Sequence, residues 1–150
     1  MTSVAIRPEE LRDHIAQALG ALARSVTLAR GEVTVVVAAD QYLQAMQLLR
    51  DAPTCRFEQL IDLCGLDYSA YADRVNEGPR YAVVSHLLSV SLNQRVRVRV
   101  FCPQDDMPVV ASVTGLWASA AWFEREAFDL FGIVFEGHND LRRILTDYGF

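Results

Sequence analysis

The chain has 150 residues, of which 51% are hydrophobic and 22% charged, and its formal net charge is -5. This composition is typical of a folded globular domain, and the acidic balance excludes a general nucleic-acid-binding protein. No apolar run approaches the roughly 18 residues that a membrane-spanning helix needs, and residues 1–7 lack the pattern of a signal peptide. We therefore expect a single domain over residues 1–150, in the cytoplasm and without a membrane anchor of its own.

The three cysteines, Cys55, Cys64 and Cys102, are widely spaced along the chain. Iron–sulfur clusters and structural zinc sites usually show a close C-x-x-C pair, and this sequence has none. We expect buried, reduced thiols, which is the usual state of free cysteine in a cytoplasmic protein.

A helix, a strand and a second helix are predicted for the first third of the chain. Pro8 begins the first helix, because proline suits the first turn, and apolar residues then recur at helical spacing. After a turn at Gly31, the run 32–39 is rich in β-branched residues and predicts a strand. Asp40 is the candidate N-cap of the second helix, which Pro53 would end. The inward side of that helix would carry Tyr42, Leu43, Met46 and Leu49.

The middle of the chain predicts a short helical turn, an edge strand and a hairpin. Phe57, Leu60 and Leu63 are spaced like one face of a helical turn, and we expect an edge strand near 63–68. Residues 80–90 and 94–102 then form the predicted hairpin, with a polar loop before it.

Arginine and valine alternate along the second hairpin strand. Period two with one charged side indicates an antiparallel sheet whose other side packs on the core. The basic side, which carries Arg95, Arg97 and Arg99, has two interpretations. It is either a solvated face paired with nearby acids of the same chain or a face that meets acidic groups of another subunit.

An aromatic helix is predicted from Trp122 to Phe131, and Gly132 would end it in a left-handed cap. Thr114 and Ser119 are both candidate N-caps. At about 100° per residue, one face is apolar, and it comprises Phe123, Ala127, Leu130 and Phe131. Arg125, Glu126 and Asp129 gather around Trp122 on the opposite side, and Glu124 falls near Phe128 and Phe131. Charges or aromatic rings on nearly every side indicate a helix that is contacted from several directions.

The acidic residues of this helix do not form an obvious catalytic site. Glu124 and Glu126 are two positions apart and diverge by roughly 200°, so they cannot flank one bond. A metal site built from Glu126, Asp129 and His138 is geometrically possible, although no metal-binding motif supports it. Nucleophile and nucleotide-binding motifs are missing from the sequence.

Ion pairing is the role that the residues themselves favour. Arg125 and Asp129 lie at i,i+4 and are expected to pair on the helix surface. Arg142 and Arg143 could reach back to Glu126 or Asp140, or outward to a partner. For the whole chain, the pattern predicts an α+β fold with a mixed, mainly antiparallel sheet of about four strands and helices packed largely on one face.

The stretch 122–145 resembles the signature of one protein family, the C-type subunit of NADH-quinone oxidoreductase, which is the thirty-kilodalton subunit family of respiratory complex I. The resemblance rests on the triplet Glu124-Arg125-Glu126, the run 129–133 and the spaced His138, Arg142 and Arg143, and it extends to 57–67, 80–88 and 112–117. Asn139 stands where the family commonly has proline, and Ala118 and Ala121 also depart from its usual pattern. Family members usually continue beyond Phe150, so we expect the family's C-terminal tail to be missing, as in a truncated or short member.

The resemblance implies a subunit without an active site or cofactor of its own. Such a subunit belongs to the hydrophilic arm, on the cytoplasmic side of the bacterial inner membrane, and packs chiefly against the D-type subunit near the quinone site. The residues expected to serve structure or the partner interface are Glu124, Arg125, Glu126, Asp129, Gly132, His138, Arg142 and Arg143. Two alternatives remain: the equivalent subunit of a membrane-bound hydrogenase-type complex, or a stand-alone metal-dependent hydrolase that uses the acid–histidine cluster.

Overall fold

A computed structural model of the protein describes residues 6–70 and 79–138. Over these residues, three α-helices and seven strands follow one another. They are α1 (Pro8–Leu19), β1 (Ala23–Ala29), β2 (Glu32–Val37), α2 (Tyr42–Asp51), β3 (Gln59–Asp67), β4 (Tyr81–Ser89), β5 (Gln94–Phe101), β6 (Val109–Ala111), α3 (Ala120–Phe131) and β7 (Val134–Glu136).

Five of the strands form one mixed sheet in the order β1-β2-β5-β4-β3. Only the β2–β5 contact in this sheet is parallel, and β6 pairs with β7 in a separate parallel ribbon. The predicted α+β fold with a mainly antiparallel sheet is therefore confirmed, with one strand more than expected. The additional strand is β1, in which Val26 and Leu28 point toward the core and Ser25 and Thr27 are exposed.

All three helices pack on one face of the five-stranded sheet. α1 lies against β1 and β2, α3 lies against β3, and α2 joins them in the same apolar core. The inward-pointing valines of β2 and β5 form the floor of that core. The opposite face, which we call the outer sheet face, carries the arginines of β5 and is not covered by any helix in the described part of the chain.

The start of α2 differs from the prediction. A 3-10 turn, Ala39–Gln41, precedes the helix, so Gln41 occupies the N-cap position and Asp40 does not cap. The turn sets which side of the helix faces the sheet. Tyr42, Met46 and Leu49 are buried as predicted, whereas the inward position predicted for Leu43 is wrong, because this side chain is 46% exposed.

The helical turn predicted around Leu60 is also wrong, because this segment belongs to β3. A register shift between Leu60 and Asp62 inserts an extra residue into the strand. Both Leu60 and Leu63 are therefore buried, at a spacing of three that mimics a helix. The prediction of an edge strand here is confirmed.

The predicted hairpin is confirmed as β4 and β5, and the alternation along β5 holds. Val96, Val98 and Val100 are buried, whereas Arg95 is exposed and Arg97 and Arg99 are half-buried on the outer sheet face.

Candidate partner interface

α3 begins and ends close to where its sequence predicts. Ser119, and not Thr114, occupies the N-cap position, but its hydroxyl makes no cap hydrogen bond. The Ser119 hydroxyl instead donates to the carbonyl oxygen of Leu60, 2.8 Å away. At the other end, Gly132 adopts the predicted left-handed conformation at φ 73°, and its N–H donates to the carbonyl of Phe128 at 2.8 Å. The chain then turns sharply into β7.

Glu124 anchors the inward side of α3. Its side chain is fully buried. The Ser112 hydroxyl donates to Oε1 at 2.7 Å, and the Val113 backbone N–H donates to Oε2 at 2.8 Å. Burial raises the pKa of Glu124, while these two hydrogen bonds and the charge of His138 lower it. The carboxyl group therefore joins α3 to the segment that follows β6.

The C-terminal end of α3 approaches β3 closely at Gly65. A β-carbon at position 65 would lie 2.7 Å from Cδ2 of Phe131 and 3.0 Å from Cδ1 of Ile133. No side chain fits in that space without displacing its neighbours. Gly65 thus sets the separation between helix and sheet.

The outward side of α3 exposes large apolar side chains beside charges. Trp122 is 62% exposed and Leu130 is 73% exposed. Arg125 is half-buried, and Glu126 and Asp129 are exposed. We call these five residues the exposed helix face. Such a combination of aromatic, aliphatic and charged side chains is characteristic of protein interfaces.

The exposed position of Leu130 contradicts its predicted place in the apolar face. The helix packs through the series Ala120, Glu124 and Ala127, with half-buried Phe131 next along the same side. This line rotates Leu130 away from the sheet. The sequence pattern predicts the wrong face for Leu130 because a buried glutamate occupies a position that an apolar residue usually fills.

The predicted ion pair between Arg125 and Asp129 does not form: neither side chain takes part in an ion pair within the part of the chain that the structure describes. Exposed pairs at this spacing gain little over solvation by water. Arg125→Ala is therefore not expected to leave a buried charge behind at Asp129.

The acidic residues and His138 do not converge on a metal site within the described part of the chain. Nε2 of His138 lies 2.8 Å from the carbonyl oxygen of Ala121. Across residues 6–70 and 79–138, no group of three His, Cys, Asp or Glu side chains could hold a metal ion. Asp140, Arg142 and Arg143 lie outside the described residues. Among the described residues, 6–70 and 79–138, no helix is long and apolar enough to cross a membrane.

Comparisons with known proteins agree on one family. The family described as the 30 Kd subunit of respiratory-chain NADH dehydrogenase matches residues 35–150. The C-type subunit of the NADH-quinone oxidoreductase of Verminephrobacter eiseniae is 73% identical over 150 residues, which are all of this chain and 74% of the relative. The corresponding subunit of Polaromonas naphthalenivorans is 70% identical over 141 residues, which are 94% of this chain and 69% of the relative.

Solved structures share the fold. The trypsin-resistant fragment 1–134 of Nqo5 superposes with a TM-score of 0.68 at 34% identity, covering 91% of this chain and 100% of the fragment. A chain of the membrane-bound sulfane sulfur reductase, an archaeal respiratory membrane complex, has a TM-score of 0.72 at 22% identity. It covers 91% of this chain and 74% of that one.

Proposed function

The chain belongs to the 30 kDa subunit family of the respiratory-chain NADH dehydrogenases, and from this premise we propose that it is a non-catalytic structural subunit of the hydrophilic arm. In this role it packs against the D-type subunit near the quinone site, on the cytoplasmic side of the membrane, and supports electron transfer that other subunits perform. The exposed helix face on α3 is the surface that carries the contact.

The division of α3 into two sides supports this proposal. Glu124 and Ala127 are buried inside the fold, whereas Trp122 and Leu130 are exposed beside Glu126 and Asp129. Tryptophan and arginine dominate the binding energy of protein interfaces when a partner buries them. The part of the family signature that does not hold the fold together is thus suited to hold a second protein.

The use of Glu124 supports a structural role for the remainder of the signature. Both of its carboxyl oxygens accept hydrogen bonds from the chain itself, so the group positions α3 and does not meet a substrate. Gly132 ends the helix in the conformation that brings β7 against β6. His138, Arg142 and Arg143 follow this ribbon in sequence, and we assign them to the same interface.

Co-expression with a homologue of the D-type subunit tests the proposal. A tagged chain should co-purify with that homologue and elute with it as one complex in size exclusion. Trp122→Ala should weaken the affinity by about thirtyfold or more, the effect of truncating a residue that dominates an interface. Leu43→Ala truncates a large exposed side chain on a different helix. It is the control and should leave the affinity unchanged. Equal binding by the Trp122→Ala variant would remove α3 from the interface.

A further inference from the structure

One row of the outer sheet face surrounds a charge with apolar side chains. The register of the five strands places Ser25, Val36, Arg99, Val84 and Cys64 side by side across the sheet. Arg99 is at the centre of the row, between two valines. Neighbouring strands are about 4.8 Å apart, so carboxylates in the flanking rows are the nearest that this sheet could offer it.

The side chain of Arg99 has a donor without an acceptor. Its Nε is buried and makes no hydrogen bond within the part of the chain that the structure describes. An arginine cannot lose its proton at ordinary pH, and a buried donor left unpaired is destabilising. The chain retains this unfavourable arrangement in the middle of a face that no described helix covers.

The neighbouring arginine of β5 shows how a guanidinium on this face is satisfied within the chain. Arg97 forms an ion pair with Glu32, and its Nε donates to Nε2 of His86 at 3.2 Å. Asp62 lies on the other side of His86, and its Oδ2 is 3.6 Å from Nδ1 of His86. Within the described residues, β5 therefore carries one arginine that forms an ion pair and one whose Nε has no acceptor.

Space for an occupant adjoins the row. A cleft of about 380 Å³ opens beside Arg95 and Arg97. Glu32 and His86 also line it, together with apolar side chains such as Pro8, Leu11 and Ile61. The cleft can receive an apolar side chain of a segment whose carboxylate contacts Arg99. Arg97 is already paired with Glu32, so Arg95 and Arg99 are the arginines of this face that can attract an acidic segment, on a chain whose net charge is -5.

We propose that the outer sheet face is a second docking surface of the chain, which binds an acidic segment of another subunit of the same complex through a carboxylate on Arg99. A carboxylate is the acceptor that matches the planar guanidinium, since Nε and one terminal nitrogen can donate to its two oxygens together. The inference rests on the proposed function, because it needs a complex with further subunits. It concerns a different face from that of α3.

The first test separates a role in binding from a role in folding. We expect Arg99→Met, which keeps the length of the side chain, to leave the melting temperature of the free chain unchanged or higher. The same variant should bind the co-expressed hydrophilic-arm subunits about tenfold or more weakly, and added salt should reduce the difference. Arg97→Met is the matched control on the same strand; it should lower the melting temperature and leave the affinity within about twofold.

Cys64 provides a second readout in the unmodified protein. It is exposed on the outer sheet face, two strands from Arg99, so the predicted burial is wrong for this cysteine. Cys55 and Cys102 are buried, as predicted. Labelling with a maleimide should be fast in the free chain and slowed at least tenfold in the complex. The Arg99→Met variant should lose part of that protection.

Each outcome has a defined meaning. If the wild-type chain captures no other subunit, the proposed function and this inference both fall. If Trp122→Ala weakens capture while Arg99→Met does not, or if Cys64 reacts equally fast in the complex, only this inference falls. A large drop in the melting temperature of Arg99→Met would also overturn it, because the guanidinium would then serve the fold.

Discussion

Glu124 and Arg99 both place an ionisable group among apolar side chains, but they differ in whether the described part of the chain satisfies their hydrogen bonds. Glu124 is fully buried, and two donors from the segment after β6 satisfy its oxygens. Arg99 is only half-buried, yet its Nε has no acceptor in the described part of the chain. The carboxyl oxygens of Glu124 are satisfied within the fold, whereas the Nε of Arg99 has no acceptor among the described residues and is available to the carboxylate of the proposed partner.

This difference separates residues that hold the fold from residues that remain for a partner. A buried charge is tolerable only where its hydrogen bonds are made. At Glu124 those bonds join two distant parts of the chain, so removing the carboxyl should weaken the fold. At Arg99 the chain gains nothing from the unpaired donor, so removing it should not. Measurements of stability can therefore test the comparison directly.

The largest effect is expected at Glu124. Glu124→Ala would strand the Ser112 hydroxyl and the Val113 N–H and leave a cavity, so we expect a loss of about 3–5 kcal/mol in the free energy of unfolding. Glu126→Ala, two positions along the same helix and exposed, is the control and should change that free energy by less than about 0.5 kcal/mol. Urea denaturation of both variants provides the measurement. Similar losses for the two would show that Glu124 does not join α3 to the β6 segment.

The next largest effect is expected where α3 meets the sheet. Gly65→Ala would place a β-carbon 2.7 Å from Phe131, so helix or strand must shift at a cost of about 1–3 kcal/mol. Gly115→Ala meets no atom within 4 Å and is the control for replacing glycine as such. Thermal melting should separate the two variants by several degrees. A neutral Gly65→Ala variant would mean that the contact between β3 and α3 is loose.

A smaller, pH-dependent effect is expected from the same carboxyl group of Glu124. Burial raises its pKa above the ordinary 4.5 in the folded chain, so the folded state holds this proton more tightly than the unfolded state. The stability contributed by the group is therefore present below pH 4.5 and is lost as the pH rises through the folded pKa. The difference in free energy of unfolding between wild type and Glu124→Gln should fall across that window.

The surroundings of Glu124 define the controls for this pH dependence. The charge of His138 lowers the pKa of Glu124, and the charge of Glu124 in turn raises the pKa of Tyr42. A protonated His138 favours the ionised carboxylate, so His138→Gln should steepen the dependence. Burial raises the pKa of Tyr42 further above its ordinary value of 10.0, so the phenol stays neutral throughout. A difference between wild type and Glu124→Gln that does not vary with pH would contradict the raised pKa.

The sequence predicts the elements whose patterns are regular and misses those set by long-range contacts. The alternation of β5 and the glycine stop of α3 are both predictable, because local periodicity and backbone preference determine them. The irregularity in β3 imitates a helix, and the short strands β6 and β7 carry too few residues for a period to show. That Glu124 is buried depends on donors at positions 112 and 113, a contact that spacing on one helix cannot reveal. The exposure of Leu130 follows from the same contact.

The smallest expected effect concerns the satisfied arginine of β5. A double-mutant cycle of Arg97→Met and Glu32→Gln should give a coupling energy of at most about 1 kcal/mol, because both side chains are partly exposed and water competes for them. The cycle of Arg99→Met with Glu32→Gln should give no coupling, since Arg99 does not contact that acid. Urea denaturation of the single and double variants supplies both cycles. A coupling of Arg99 to Glu32 as large as that of Arg97 would mean that one acid serves both arginines, and the outer sheet face would then need no carboxylate from a partner.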